Sequence, residues 1–306
     1  MSSSKNHPEE LVDHLNQVQS LRGKVYRGRF APSPTGPLHL GNLRTALISW
    51  LRARLNRGEW LLRIDDLDTP RNRPGSIENI QSDLLWLGLD WDGPMILQSE
   101  RRAIYEHVLA TLKVHGKVYP CRCSRSVLAK FHTSQSQNFI YPGTCRSLGL
   151  PWNIYKGRLP SLRLIVPKEF SSKCGDVVLR RADGYIAYHF ATAVDELFLG
   201  ITEVVRGNDL AKARYSQLAI IDSLDQKPLS YLHVPLFLNK DGTKLSKREN
   251  GIGLKSLQLN GMCSEDVIGF LASSLGLVPN GSKLSASELL SDLSKSQKLI
   301  ENLLFN

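Results

Sequence analysis

The sequence predicts an α/β protein built on a parallel sheet, and three features near its start carry that prediction. A strand-like run from Tyr26 to Ala31 ends in a Pro- and Gly-rich loop, a helically spaced apolar series follows, and Trp60 to Ile64 reads as a second buried strand. Strand, helix and strand in that order form a βαβ unit, which lays both strands parallel in one sheet and gathers ligands at their carboxyl ends.

The first two dozen residues are polar with only a weak helical pattern, so residues 1–24 are expected to form an extension and order to begin near Val25. Pro32-Ser33-Pro34-Thr35-Gly36-Pro37 cannot continue a strand, because proline removes ladder donors and glycine favours turns. From Gly41 onward Leu43, Ala46, Leu47, Trp50, Leu51 and Leu55 fall on one face of a helix. Ser76 is placed to cap a helix presenting Ile77, Ile80, Leu84 and Leu87. Ile104, Val108 and Leu112 repeat the spacing over 104–115, and Gly116 supplies a stop.

Between 118 and 190 the alternation weakens and Cys, Gly and Pro punctuate short strand-like pieces such as Ser161 to Val166, the pattern of an inserted subdomain. The sheet is expected to resume around Val204 and Val234. Residues after 255 read as short helices, with Ser285 and Glu288 spaced for a capping box. The expected division is therefore an extension (1–24), a first catalytic half (25–117), an insertion (118–190), a second half (191–255) and a helical C-terminal segment (256–306).

The chain has 306 residues, of which 42% are apolar and 22% charged, enough to bury a substantial core. Its net charge of +10 fits a polyanionic partner such as nucleic acid, or a solvated basic surface. No apolar run approaches the roughly 18 residues that cross a bilayer, and the N-terminus lacks a signal peptide's apolar core, so a cytosolic protein with no membrane partner is expected. Five cysteines in a chain this long pose a question of metal binding rather than of a disulfide framework.

Three constellations carry chemistry. The first, Arg29 to Asn42 (RFAPSPTGPLHLGN), puts a small-residue loop and His39 where a strand hands over to a helix. Unpaired N–H groups and the dipole at such a helix start stabilise phosphates, and Gly41 would let a nucleotide approach. His39 could equally be a plain N-terminal polar residue. The second, Asn239 to Arg248 (NKDGTKLSKR), sets Lys244, Lys247 and Arg248 after a turn at Asp241-Gly242. Its cations can follow triphosphate charge into a transition state, or form a solvated loop. The third is Cys121-Arg122-Cys123 followed by Tyr141 and Cys145, whose three soft sulfurs suit Zn²⁺ or could be packed free thiols.

The first two constellations, in this order and roughly two hundred residues apart, resemble the HIGH and KMSKS signatures of class I aminoacyl-tRNA synthetases. With RIDDLDTPR (63–71), LLWLGLDWD (84–92), AYHFATAVDE (187–196) and VVRG (204–207), the resemblance over about 26–255 is to the glutamyl and glutaminyl branch. It implies a Rossmann-like parallel-sheet catalytic domain, an inserted zinc-bearing subdomain like those that bind tRNA acceptor ends, and a short helical tail.

Carried over by position, the resemblance implies a glutamate pocket of Arg29, Phe30, Ala31, Pro32, Ser33, Asp65, Tyr188 and Arg206. Guanidinium groups suit the two carboxylates of glutamate, and an acidic side chain suits its ammonium. Asp65 stands where this branch normally carries Glu. His39, Gly41, Asn42 and Lys247 fall at ATP-binding places, and His39, Asn42, Lys244 and Lys247 at catalytic ones. Asn42 can donate a hydrogen bond there but has no acid–base role.

The CxC…YxxxC pattern resembles the zinc site of glutamyl-Q tRNA(Asp) synthetases, with Cys121, Cys123, Tyr141 and Cys145 as ligands of a structural Zn²⁺. Cys174 and Cys263 lie outside it and are expected to be ordinary packed residues. The chain ends less than sixty residues after the KMSKS-like segment, so no anticodon-binding domain is expected. The resemblance thus implies ATP, with Mg²⁺, activating L-glutamate as its adenylate, and transfer to queuosine in the anticodon of tRNA(Asp) by a monomer. Two alternatives stay open: an atypical glutamyl-tRNA synthetase charging a 3′ end, and a non-catalytic glutamate- or tRNA-binding paralogue. Lys130, Lys156 and Arg158 offer further RNA contacts or a solvated surface.

Overall fold

The computed structural model describes residues 15–20, 22, 24–129, 140–237 and 253–295. The chain divides into two compact units. One, the sheet unit, takes in residues 24–98, 201–211 and 230–306, and the other, the insertion unit, 1–23, 99–200 and 212–229.

In the sheet unit β1 (Arg27–Phe30) leads through the proline loop to α1 (Leu40–Leu55) and back to β2 (Glu59–Ile64). β1 and β2 are parallel, with Arg27 opposite Glu59 and Phe30 opposite Leu62. After α2 (Ser76–Trp86), the short β3 (Ile96–Leu97) extends the sheet, again parallel. A second parallel pair, β7 (Glu203–Gly207) and β8 (Ser230–Val234), aligns Arg206 with His233. The two pairs meet at β1, where Thr202 N donates to Arg27 O and Arg27 N to Thr202 Oγ1, each at 2.9 Å. The parallel-sheet α/β class read from the sequence is therefore the fold.

Period-3.6 spacing turns Leu43, Ala46, Leu47, Trp50 and Leu51 of α1 into one continuous core with Trp60, Leu62 and Ile64 of the sheet. The helices α7 (Leu254–Leu259), α8 (Ser264–Ser273) and α9 (Ala286–Lys295) add Val267, Leu271, Leu289 and Leu293 to that core. A buried ionic cluster crosses it. The Arg52 guanidinium pairs with both Glu203 oxygens, and Tyr26 donates to Glu203 Oε2 at 2.7 Å, so α1, the residue before β1 and β7 share one satisfied group. Gly58 is required beside it, because a Cβ there would stand 2.2 Å from Tyr26 O.

Ser285 and Glu288 form the expected capping box at the head of α9: Ser285 N donates to Glu288 Oε2 at 2.8 Å and Glu288 N to Ser285 Oγ at 3.2 Å. Ser76 does not cap α2. It is the first helical residue and is buried, while Gly75 occupies the cap at φ 74°, a left-handed conformation that favours glycine, and no side chain caps the helix.

The insertion unit contains α3 (Arg102–Val114), an antiparallel sheet of β4 (Val118–Cys121), β5 (Ser161–Leu164) and β6 (Val178–Arg180), and the helices α4 (Lys168–Cys174), α5 (Tyr188–Phe198) and α6 (Ala213–Ser223). Its extent differs from the 118–190 read from the sequence. Asp195, fully buried on α5, pairs with Arg101 Nε at 2.6 Å and accepts from Tyr105 OH at 2.9 Å, and this ties 99–117 and 191–200 to the unit. The described part of the N-terminal stretch also belongs to it. Leu15 is 2% exposed, and Arg22 donates to Glu196 O and Lys227 O at 3.3 and 3.5 Å, which an unattached extension would not do. Among the described residues no helix is long and apolar enough to cross a membrane.

Candidate active site and metal centre

The carboxyl ends of β1 and β2 bring the predicted loop residues together. Asp65 N donates to Pro32 O at 3.0 Å and Arg73 N to Pro34 O at 2.8 Å, so the proline loop is stapled to the segment after β2. Trp60 Nε1 donates to Ser49 Oγ at 2.9 Å, and Ser49 Oγ to Arg29 O at 3.0 Å, fixing the backbone at Arg29. Arg29 itself is buried and donates through Nη1 to Val205 O at 3.0 Å. The Phe30 side chain is buried against Trp60, with ring centroids 6.2 Å apart, so it serves the core and leaves only its backbone for a ligand. Ala31 is half-buried and Ser33 exposed in the same loop.

His39 and Asn42 cap each other. Asn42 N donates to His39 Nδ1 and His39 N to Asn42 Oδ1, both at 3.3 Å. A ring that accepts at Nδ1 carries its neutral-form proton on Nε2, where it is a donor suited to phosphate oxygen. His39 is thus the helix cap, and accepting at Nδ1 leaves Nε2 as its proton-bearing nitrogen. A Cβ on Gly41 would lie 3.0 Å from His39 Cε1, so this glycine makes room first for the His39 ring.

Lys244, Lys247 and the rest of the KLSKR segment lie outside the described residues, as does Lys130. The flanks of that segment are described, and both are held to the head of α1. Gly253 pairs with His39 in an antiparallel bridge. On the other side Arg44 donates to Pro235 O, and its guanidinium sits 3.8 Å from the centre of the Phe237 ring. Burial pulls the Arg44 guanidinium down to about 10. Sequence reasoning passed over Arg44 because its partners lie far along the chain; its one signal was a charge on the apolar side of α1.

Asp65 and Arg206, the other residues of this unit expected in the glutamate pocket, are both buried. Asp65 pairs with Arg63, which is itself fully buried. Arg206 donates from Nε to His233 Nε2 at 3.4 Å and lies 4.9 Å from the Tyr231 ring centre. Tyr188 opens α5 in the insertion unit, where its ring meets His189 edge-on at 5.4 Å.

In the insertion unit the sulfurs of Cys121, Cys123 and Cys145 lie within 4.8 Å of one another and could hold a metal ion. The Tyr141 hydroxyl stands 3.3 Å from Cys121 Sγ and 3.5 Å from Cys123 Sγ, and it accepts from Cys145 N at 3.0 Å. Cys123 and Cys145 sulfurs are 3.5 Å apart. Ligand sulfurs of a tetrahedral zinc stand about 3.8 Å apart, so this donor set fits. Electrostatics agree. Burial raises the Cys121 thiol, but the Tyr141 hydrogen bond, Cys123 N–H and Arg163 outweigh it and bring it to about 7, while burial chiefly drives Cys123 up to about 11.

Asp176, missed by sequence reasoning, supports this centre. It is buried, takes both Arg146 nitrogens at 2.9 and 2.5 Å, and accepts from Tyr119 OH at 2.6 Å and Val166 N at 3.2 Å. Its backbone oxygen accepts from Arg163, whose guanidinium covers the Tyr141 ring at 3.8 Å. Cys174 is half-buried, whereas Cys263 is exposed and caps α8 through Asp266 instead of packing.

Residues 25–291 match the family model "tRNA synthetases class I (E and Q), catalytic domain", which gives the class of the protein. A glutamyl-Q tRNA(Asp) synthetase of Prochlorococcus marinus (strain MIT 9303) is 55% identical over 99% of this chain and 99% of its own length. One from Symbiobacterium thermophilum is 40% identical over 86% of this chain and 90% of its own. The crystal structure of a glutamate tRNA ligase from Elizabethkingia meningosepticum with its amino acid superposes with a TM-score of 0.74 at 29% identity, covering 90% of this chain and 66% of that one. The chain belongs to the glutamyl-Q tRNA(Asp) synthetase family.

Proposed function

We propose that this chain activates L-glutamate with ATP to glutamyl-adenylate and transfers the glutamyl group to the queuosine base in the anticodon of tRNA(Asp). The observation that carries the activation step is the attachment of both flanks of the KLSKR segment to the His39 end of α1. Such an arrangement suits delivery of the KLSKR cations to phosphates held at a helix N-terminus. Arg29 and Arg206 take the carboxylates of glutamate, and Asp65 its ammonium. The α-carboxylate attacks the α-phosphorus in line, pyrophosphate leaves, and His39 with Lys244 and Lys247 stabilises the developing charge. Mg²⁺ accompanies the ATP phosphates. The acceptor is a hydroxyl of queuosine's cyclopentenediol ring, which attacks the activated carbonyl and releases AMP. The relatives' shared specificity supports this choice.

The metal of the insertion unit is Zn²⁺ in this reading, held by Cys121, Cys123, Cys145 and Tyr141. A four-protein-ligand site is closed, so it supplies cross-linking rather than reaction chemistry. The enzyme acts as a monomer in the cytosol.

Transfer of labelled glutamate to tRNA(Asp) from cells with and without queuosine tests the proposal. Labelling that depends on queuosine and resists removal of the 3′ end is expected. Equal labelling of both tRNAs, or labelling of tRNA(Glu) at its 3′ end, overturns it. Glutamate binding without glutamate-dependent pyrophosphate exchange would make the chain a binding protein instead.

A further inference from the structure

We propose that the hairpin at Tyr155–Arg158 is a stacking platform for one unpaired base of the RNA substrate, with the phosphate of that nucleotide held by Lys156 and Arg158. The inference deepens the tRNA-directed reading above and rests on it.

Trp152, Ile154 and Tyr155 are 38%, 63% and 53% exposed, an unusual concentration of large apolar side chains on one surface loop. The loop is held in shape. Tyr155 and Arg158 exchange backbone hydrogen bonds at 3.1 and 3.2 Å across a two-residue turn, in which Lys156 and Gly157 both have positive φ, 50° and 71°. Arg122 braces it from beneath, donating to Arg158 O, Pro151 O and Asn153 O at 3.0, 3.1 and 2.7 Å. Its guanidinium also lies 5.3 Å from the Tyr155 ring centre, and Lys156 Nζ lies 5.5 Å from it. Lys113 Nζ covers the Trp152 ring at 4.2 Å. Each exposed ring thus has a cation beside it.

Beneath the hairpin is a cleft of about 260 Å³ walled by Arg122, Tyr155, Lys156, Arg158 and the Cys121–Cys123 turn. That is just under the range that takes drug-sized ligands, and it suits a single planar base. Charge points the same way. From Ile140 to Lys168 the sequence holds no Asp or Glu, and Lys156, Arg158 and Lys168 are exposed there, whereas Arg146 is paired with Asp176 and Arg163 is buried. Rigid aromatic faces interleaved with cations are how proteins hold unstacked nucleotides. A protein partner would meet the same apolar faces but has no general need of this one-signed charge.

The test measures binding of tRNA(Asp) by the full metal-loaded chain, with glutamate-dependent pyrophosphate exchange in the absence of tRNA as a control. Tyr155→Ala should weaken binding by about tenfold to a hundredfold, Tyr155→Phe by less than about twofold, and neither should change exchange. Lys156→Gln with Arg158→Gln should flatten the salt dependence of binding by about one to two phosphate contacts. A substitution-free readout is photocrosslinking of tRNA bearing 4-thiouridine in single-stranded positions, with adducts expected within residues 152–158. Unchanged affinity in Tyr155→Ala, equal loss in Tyr155→Ala and Tyr155→Phe, or adducts confined to other segments overturns the inference while leaving the proposed activity standing. Loss of exchange in the parent chain would instead fail the proposed activity.

Discussion

Asp65 and Arg63 form an ion pair inside the sheet unit, with Arg63 Nε 2.7 Å from Asp65 Oδ1 and Nη2 3.4 Å from Oδ2. Residues two apart on a strand share a face, so the end of β2 directs both side chains to the same side. A fully buried guanidinium holds the shorter carboxylate in place, at a position where this branch of synthetases normally carries Glu. A carboxylate has enough lone pairs to accept from Arg63 and still receive an ammonium.

Replacing Asp65 by Asn should act on both roles. The amide still accepts from Arg63 but carries no charge, and thermal unfolding should show a loss of about 1.5–3 kcal/mol, the range for hydrogen bonds to charged groups. If Asp65 also receives the substrate ammonium, KM for glutamate in pyrophosphate exchange rises by about tenfold or more, because that ionic contact exists in the ground state. A destabilised variant with unchanged KM would reduce Asp65 to a structural partner of Arg63.

How much of this was legible depended on the distance between partners. The α1 face, the parallel strands and the Ser285–Glu288 box are local patterns, read from spacing alone. The Arg63–Asp65 pair was legible in principle through its i,i+2 spacing. By contrast, Asp195 sits in a recognised motif, yet its partners Arg101 and Tyr105 are some ninety positions away, so the reach of the insertion unit could not be read. Ser76 misled because Ser is a common cap, whereas the helix starts one residue earlier, with the left-handed Gly75 in the cap position. The polar N-terminal stretch reads as an extension because it hides a single apolar anchor, Leu15.

Arg163 should control metal retention. Its guanidinium lies over Tyr141 and adjoins Cys121, so it offsets the negative charge that three thiolates and a phenolate would place around one dication. Arg163→Met keeps bulk but removes charge, and competition with a chromophoric chelator should show affinity weaker by about 10- to 100-fold, typical of outer-shell partners. Arg163→Lys should recover part of it. Equal affinity in all three proteins would mean that the ligands alone set the site.

Asp83 on α2 gives the sheet unit a pH dependence. Burial pushes its carboxyl up to about 6. A raised folded-state value means that the fold prefers the protonated form, so ionisation opposes folding above pH 6. That penalty fades as pH falls through 6 toward the unfolded value near 4. The full shift would correspond to about 3 kcal/mol, which solvent screening of this half-buried group reduces to about 1 kcal/mol. Asp83→Asn should therefore melt higher than the parent at pH 7.5, with the gap closing by about pH 4. A gap independent of pH would remove Asp83 as its source.

Arg44 offers the sharpest separation of positioning from binding. It touches neither the proposed glutamate contacts nor a described phosphate contact, yet it fixes Pro235 and Phe237, and Phe237 in turn stacks on Phe270 at 6.2 Å. Removing the guanidinium with Arg44→Met leaves the aromatic stack and frees one flank of the KLSKR segment, while the His39–Gly253 bridge still holds the other. In the proposed mechanism the KLSKR lysines act on the triphosphate, and misplacement of groups that act in the transition state lowers kcat more than it raises KM. Adenylate formation should slow by about tenfold or more, with glutamate KM changed less than about twofold; Arg44→Lys, which keeps charge but not the planar stack, should fall between. A parallel rise in glutamate KM would place the effect of Arg44 in the amino-acid pocket, and parent-like exchange would show that the bridge at Gly253 is sufficient to hold the loop.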